Sequence, residues 1–191
     1  LILQIGHLER FNPAVEALEN LISEPKFIEV QRLGSFSARS LDIDVVLDLM
    51  IHDLDIIMAL IKDEVKVIRS SGIHVLSDKI DIANARLEFT SGCIATLTAS
   101  RVHQGKVRKL RIFEPTSYYS IDYIDQEVKV FPLNGRQTDI KTLKIKKEEP
   151  LKKELQNFFR CIIDGKKRKV TGEEGLRALR LAYSVLNEAE A

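Results

Sequence analysis

The stretch Asp44-Val45-Val46-Leu47-Asp48-Leu49-Met50-Ile51-His52-Asp53-Leu54-Asp55-Ile56-Ile57-Met58-Ala59-Leu60-Ile61 contains neither Gly nor Pro, and its apolar residues run almost all the way round a helix. With Asp48 as zero, a step of about 100° per residue puts His52 near +40°, Asp55 near −20° and Asp44 near −40°. These four share one narrow stripe, while Val46, Leu49, Met50, Ile56, Ile57, Leu60 and Ile61 take the far side. A helix that is apolar nearly all round is buried. Its single polar stripe must then face partner side chains, ordered water or a ligand. Asp53 projects away from the stripe and reads as structural.

Beyond Ile61 the period changes. Residues 65–75, 80–90, 93–102, 107–113, 118–124, 127–131 and 140–145 read as strands, with Ser91-Gly92 and Asn134-Gly135 as turn signals. In the last of them Leu143 and Ile145 alternate with Lys144 and Lys146, the mark of one buried and one wet face. Two helices follow. Leu151, Leu155, Phe158, Phe159 and Ile162 mark the first, which Asp164-Gly165 ends. Thr171 with Glu174 three residues on forms a capping box for the second, carried by Leu176, Leu179, Tyr183 and Leu186.

Upstream, Leu1 to Ile5 reads as a short strand. Asn12-Pro13 starts a helix marked by Ala14, Leu18, Leu21 and Ile22, with Pro25 beyond its end. Phe27 to Leu33 reads as a strand closed by Gly34, and Ser35 to Leu41 as a loop. Strands that cluster rather than alternate with helices predict an α+β fold. The natural packing is a large, open, mostly antiparallel sheet with helices on one face, the other face being solvated or covered by another subunit.

The 191 residues carry 29 Lys+Arg against 28 Asp+Glu, so no whole-chain field favours nucleic acid or an anionic membrane. The lysines from Lys144 to Lys169 are interrupted by Glu148, Glu149 and Glu154 and lack interleaved aromatic residues, which reads as a solvated face. No run approaches the ~18 apolar residues of a membrane span. Cys93 and Cys161 have no disulfide-framework or zinc spacing, and a reducing cytoplasm is the expected compartment. The chain opens on Leu1 and an apolar run, which reads as a cut through a longer protein.

Asp48 and His52 stand one helical turn apart, so their side chains can meet. A carboxylate beside an imidazole fixes its tautomer and raises its pKa, which suits the movement of a hydroxyl proton in carbinol oxidation. Asp55 is close enough to join them or to bind a sugar hydroxyl. The alternative is a satisfied buried network, since buried polar groups are normally paired. A metal site lacks a second His or Cys at ligand spacing.

Three motifs in order, Arg10-Phe11-Asn12-Pro13, Asp48-Leu49-Met50-Ile51-His52-Asp53 and Gly172-Glu173-Glu174-Gly175, resemble the second domain of the glucose–fructose oxidoreductase and inositol dehydrogenase (Gfo/Idh/MocA) family. The resemblance implies a dihydrodipicolinate-reductase-like C-terminal fold. It also implies a two-domain enzyme whose Rossmann domain binds NAD or NADP. Residues 1–11 would be the last strand and junction of that absent domain, and residues 12–191 the substrate-binding and oligomerisation domain. His52 and Asp48 would be catalytic, with His52 moving the proton. Arg10, Asn12 and Asp55 would face substrate or nicotinamide. The open sheet face would join a homodimer or tetramer. The family's Glu-Lys-Pro lysine has no counterpart here, and the nine glycines never fall one residue apart, so no GxGxxG cradle exists. The chain is thus expected not to transfer hydride alone.

The runs around Gly6 to Ala14 and Asp48 to Asp55 look most like a branch acting on nucleotide-linked amino sugars such as UDP-N-acetylglucosamine, with Arg39, Arg101, His103 and Lys106 as phosphate candidates. The rival expectations are a non-catalytic oligomerisation module and a metabolite-binding domain of the same fold.

Overall fold

The computed structural model describes residues 1–37, 42–133 and 139–190. Arg39 and the Asn134-Gly135 turn signal lie outside them. After a 3-10 turn at Leu8–Phe11, helix α1 spans Pro13–Leu18. The Asn12 side chain accepts a hydrogen bond from the Ala14 N–H, and Pro13 takes the first helical position, where its missing donor costs nothing. The helix stops earlier than its apolar spacing suggested: Leu21 is exposed, and Ile22 packs on the core from the following turn.

Strand β1 is Phe27–Leu33, as read from the sequence. The long helix is composite, with a π-turn at Val46–Met50 running directly into α2 at Ile51–Ile61. Strands β2 Val65–Ile73, β3 Ile82–Phe89, β4 Ile94–Ser100, β5 Val107–Phe113, β6 Ser117–Asp122, β7 Glu127–Pro132 and β8 Lys141–Thr142 follow. Helices α3 Pro150–Asp164 and α4 Gly172–Ala189 close the chain.

All eight strands join one sheet in the order β2-β3-β4-β1-β5-β6-β7-β8. Every neighbouring pair is antiparallel except β1 with β4. The fold is therefore α+β with a mostly antiparallel sheet. Strand β8 is only two residues long, yet Leu143 and Ile145 beyond it still pack inward, so the alternation outlasts the ladder.

One sheet face is buried. Ile28 and Val30, Ala83 to Leu87 by twos, Ala95 to Ala99 by twos, Leu110 and Ile112 meet Met50, Leu54, Ile56 and Ile57 of the long helix and Ala182 and Val185 of α4 in a single core. Each fully buried Leu, Ile or Phe there stabilises by roughly 1.5–3 kcal/mol. The other face carries a row of large apolar side chains. Ile94, Phe27, Phe113, Tyr118 and Phe131 stand in register across five strands, and the last three rings stack with centroids 4.6 and 4.7 Å apart.

Leu1 to Ile5 does not form the expected strand. No described strand runs beside it, so it has no ladder to join. It crosses the start of α4 instead, with the Ile5 N–H donated to Val170 O. Gly172 and Gly175 make that crossing possible. A Cβ on Gly175 would lie 2.7 Å from Ile5 Cγ1, and one on Gly172 would lie 3.1 Å from Leu3. The Thr171–Glu174 capping box is fully formed, and Gly165 ends α3 with φ +63°.

The outer surfaces of the last two helices are a correction to the simple amphipathic reading. Leu151, Leu155, Phe159 and Ile162 of α3 and Leu176, Leu179 and Tyr183 of α4 are exposed. The faces turned inward carry Cys161 on α3 and Ala178, Leu181, Ala182 and Val185 on α4.

Candidate functional site

The polar stripe of the long helix does not survive as a stripe. The Ile51 N–H reaches back to Val46 O, five residues earlier. This wider π-turn puts an extra residue into the helix between Val46 and Ile51, so a projection at constant angle no longer holds across it. Asp44 is spent on structure, accepting from the Ile80 N–H at 2.8 Å. The Asp48 side chain makes no hydrogen bond or ion pair among the described residues and lines a cavity at the end of β1. His52 rests instead against His7, ring centroids 5.7 Å apart at 85°.

The expected Asp48–His52 pair is therefore not made, and its expected consequence reverses. Burial, then the Arg32 charge, then His7 push the His52 imidazole down to about 4, against a smaller opposite pull from Glu9. His52 is thereby held neutral at ordinary pH, as a weaker base than a free imidazole.

Around His52 lies a charged network that the helix periodicity does not reveal. Arg32, on the core face of β1, donates to Asp53 through Nε at 2.6 Å and Nη2 at 2.9 Å, and through Nη1 to Glu9 at 3.3 Å. Arg108 stands directly opposite it on β5 and donates to the same Glu9 oxygen at 3.1 Å. Glu9 thus lies between two cations that would otherwise repel across the ladder. Asn12 donates to Glu9 and to Tyr123 O, which ties the 3-10 turn to the end of β6. The Arg32 guanidinium also lies 5.8 Å from the centre of the Tyr123 ring. Burial works against the Arg32 charge, but Asp53 outweighs it and raises the guanidinium's pKa. Asp53 is structural, as its projection indicated.

Arg10 and Asp55 come together one turn further along α2. Arg10 donates to Asp55 at 3.4 Å, to Glu174 at 3.2 Å and to Lys169 O at 3.5 Å. Glu174 is also the capping-box residue of α4, so the Gly-Glu-Glu-Gly stretch both admits Leu1–Ile5 and anchors Arg10. Burial pushes the Asp55 carboxyl up to about 6, although Arg10 pulls it down.

Unsatisfied polar atoms gather here. Among the described residues, the buried side-chain polar atoms with no hydrogen-bond partner include His7 Nδ1, His52 Nδ1, Arg10 Nε, Asp55 Oδ2 and Tyr123 Oη. All five belong to this belt between the 3-10 turn, β1 and α2. A cavity of about 150 Å³ flanks it, lined by Arg32, Ser35, Asp48, Lys106 and Arg108 among others.

Of the phosphate candidates, Lys106 and Arg101 both line this cavity, Arg101 with its Nε 2.9 Å from Asp81, while the His103 ring lies 3.1 Å from Gly105 O and its backbone N–H donates to Gly34 O. No three His, Cys, Asp or Glu among the described residues could hold a metal ion. The helix pattern missed Glu9, Arg32, Arg108, His7 and Tyr123. A signal did exist: Arg32 shares the strand parity of Ile28 and Val30, and Arg108 that of Leu110 and Ile112, so both are charges on the core-facing side of their strands, Arg32 buried and Arg108 partly exposed.

The open-sheet α+β fold thus carries a buried, incompletely bonded polar belt beside β1 and α2. Residues 25–114 match the model of the GFO/IDH/MocA C-terminal domain. It is 34% identical, over its whole length, to UDP-N-acetylglucosamine 3-dehydrogenase of Acidithiobacillus ferrooxidans, and it spans 63% of that relative. Against a solved structure of the same protein the TM-score is 0.93, covering 100% of this chain and 62% of that one. Levoglucosan dehydrogenase in complex with NADH and levoglucosan shares the fold at 14% identity, with a TM-score of 0.86 over 99% of this chain and 64% of that one. Among the described residues, nothing fits a dinucleotide pyrophosphate: no glycine-rich turn joins a strand to a helix.

Proposed function

We propose that this chain is the substrate-side domain of a NAD(P)-dependent dehydrogenase that oxidises a hydroxyl of a sugar or nucleotide sugar, and that it is inactive without a dinucleotide-binding domain. The observation that carries this reading is the cluster of buried polar atoms without partners around His52. A belt that served only the fold would be fully bonded. The similarity to a UDP-N-acetylglucosamine 3-dehydrogenase favours a nucleotide-linked amino sugar.

Neutral His52 takes the hydroxyl proton. The unpaired Asp48 carboxylate accepts hydrogen bonds from neighbouring hydroxyls. Arg10, Asn12 and Asp55 hold the side of the cleft that meets the nicotinamide, and Lys106 and Arg108 flank a phosphate. NAD or NADP, held outside these residues, supplies the two-electron chemistry. The exposed apolar stripe of α3, with Leu1 and Leu3 beside the start of α4, gives the second domain a surface to cover, since patches of that kind mark interaction sites. The aromatic row from Phe27 to Phe131 joins a homodimer or tetramer, and the free cysteines Cys93 and Cys161 suit the cytoplasm.

The test is to read the coding sequence upstream and assay the full-length protein with NAD and NADP against nucleotide sugars and polyols. A glycine-rich βαβ unit and turnover that His52→Ala lowers by about 10²–10⁴-fold are expected. Full turnover by His52→Ala would remove His52 from the chemistry. The absence of an upstream βαβ unit would leave a metabolite-binding or oligomerisation module.

A further inference from the structure

His7 brings a second imidazole to the site, and the reaction above makes no use of it. It is 6% exposed, and its ring meets that of His52 edge-on. The Nδ1 atoms of both rings are buried without partners. Among the described residues, no carboxylate is hydrogen-bonded to either ring. Glu9 is engaged by Arg32, Arg108 and Asn12, Glu174 by Arg10 and its own cap, and Asp55 by Arg10. The charged groups facing the pair are thus Arg32 from β1, Arg108 from β5, Glu9 and Arg10 from the 3-10 turn and Glu174 from α4. Three of these five are cations. Two imidazolium ions in ring contact in such a place repel each other and their surroundings.

We propose that His7 is a positioning residue for His52: the two rings act as one unit that holds at most a single proton, and His7 keeps His52 neutral and edge-on to it, ready to accept. When a substrate hydroxyl gives up its proton, the O–H bond breaks, an N–H bond forms on His52, and the electron pair stays on the oxygen; His7 remains neutral. Burial and neighbouring cations lower the pKa of both rings, as this arrangement requires. Only the hydroxyl step rests on the dehydrogenase reading. The coupling of the two rings does not.

The test is a histidine-labelled NMR titration of the 191-residue chain, with wild type, His7→Gln and His7→Phe compared. Removing the His7 charge should move the His52 midpoint upward by about one pH unit, the scale of directly interacting sites. His7→Phe, which keeps a ring against His52, should give the same shift. An unchanged His52 midpoint in both His7 variants overturns the proposal, even in an active enzyme. In the full-length protein the acid limb of kcat/KM should move with the NMR midpoint. If the coupling is seen but no sugar is turned over, the dehydrogenase reading fails and the pairing stands.

Discussion

Asp53 and Asp55 lie two residues apart on α2 and are equally buried, at 2% exposure. Asp53 has both oxygens on the Arg32 fork at 2.6 and 2.9 Å. Asp55 has one oxygen on Arg10 at a loose 3.4 Å and the other on nothing. The same residue type at the same depth thus serves two ends. On the Asp53 side the polar groups are close and saturated, and they hold β1, the 3-10 turn and the helix together. On the Asp55 side, which continues through Arg10 to His7 and His52, bonding capacity is left over. Burial alone does not distinguish the two carboxylates; bonding capacity left over does.

The sharpest way to break this contrast is to remove Asp53. Asp53→Ala leaves the Arg32 guanidinium buried with only Glu9 opposite it, and a cost of about 3–5 kcal/mol is expected in urea unfolding. A loss below about 1 kcal/mol would show that the saturated side is not what holds the fold. Next in size is Gly175→Val, which drives a side chain into Ile5 and displaces the segment leading to His7. It should cost about 1–3 kcal/mol and perturb the His7 and His52 resonances while leaving those of the β2–β3 edge in place.

The open side should also show itself through pH. Asp55 has a folded-state pKa raised to about 6, so the folded state holds its proton more tightly than the unfolded chain, and stability from this group falls as pH rises from about 4 to about 6. His52 is pushed down to about 4, so the unfolded chain binds its proton more tightly, and stability from this group is lost as pH falls from about 6.5 to about 4. The two slopes oppose each other in the wild type. Asp55→Asn should uncover a stability that climbs with pH across this window, and His52→Gln one that declines, each by up to about 2 kcal/mol. Parallel profiles for both variants and the wild type would erase the distinction drawn for Asp55. The smallest effect is expected from Thr171→Ala, which removes half of the capping box that holds Glu174 near Arg10 and should lower stability by about 1 kcal/mol in thermal unfolding.

Much of the scaffold is legible in residue order. Strand β1 and strand β5 fall on the residues their alternation indicates, and Asn12-Pro13, Asp164-Gly165 and Thr171–Glu174 terminate helices where their chemistry says they should. The site is less legible. His52, Asp55, Arg10 and Asn12 are all drawn into the buried belt, but the Asp48–His52 partnership read from regular helical spacing is replaced by His52 with His7. A projection at a constant angle cannot register a π-turn, because the extra residue shifts everything beyond it around the helix axis.

By itself, the sequence determined the local terms of this protein: element boundaries set by caps and turns, an α+β order and a helix destined for burial. These depend on contacts within a few residues. Only the tertiary structure decided which buried charges would be saturated and which left open, which helix faces would stay bare, and that His7 would meet His52. Those outcomes join residues 45 positions apart in the case of the two histidines and 99 apart in that of Glu9 and Arg108. At such separations pairing is set by the register of the sheet and the seating of the helix upon it, which no local period records.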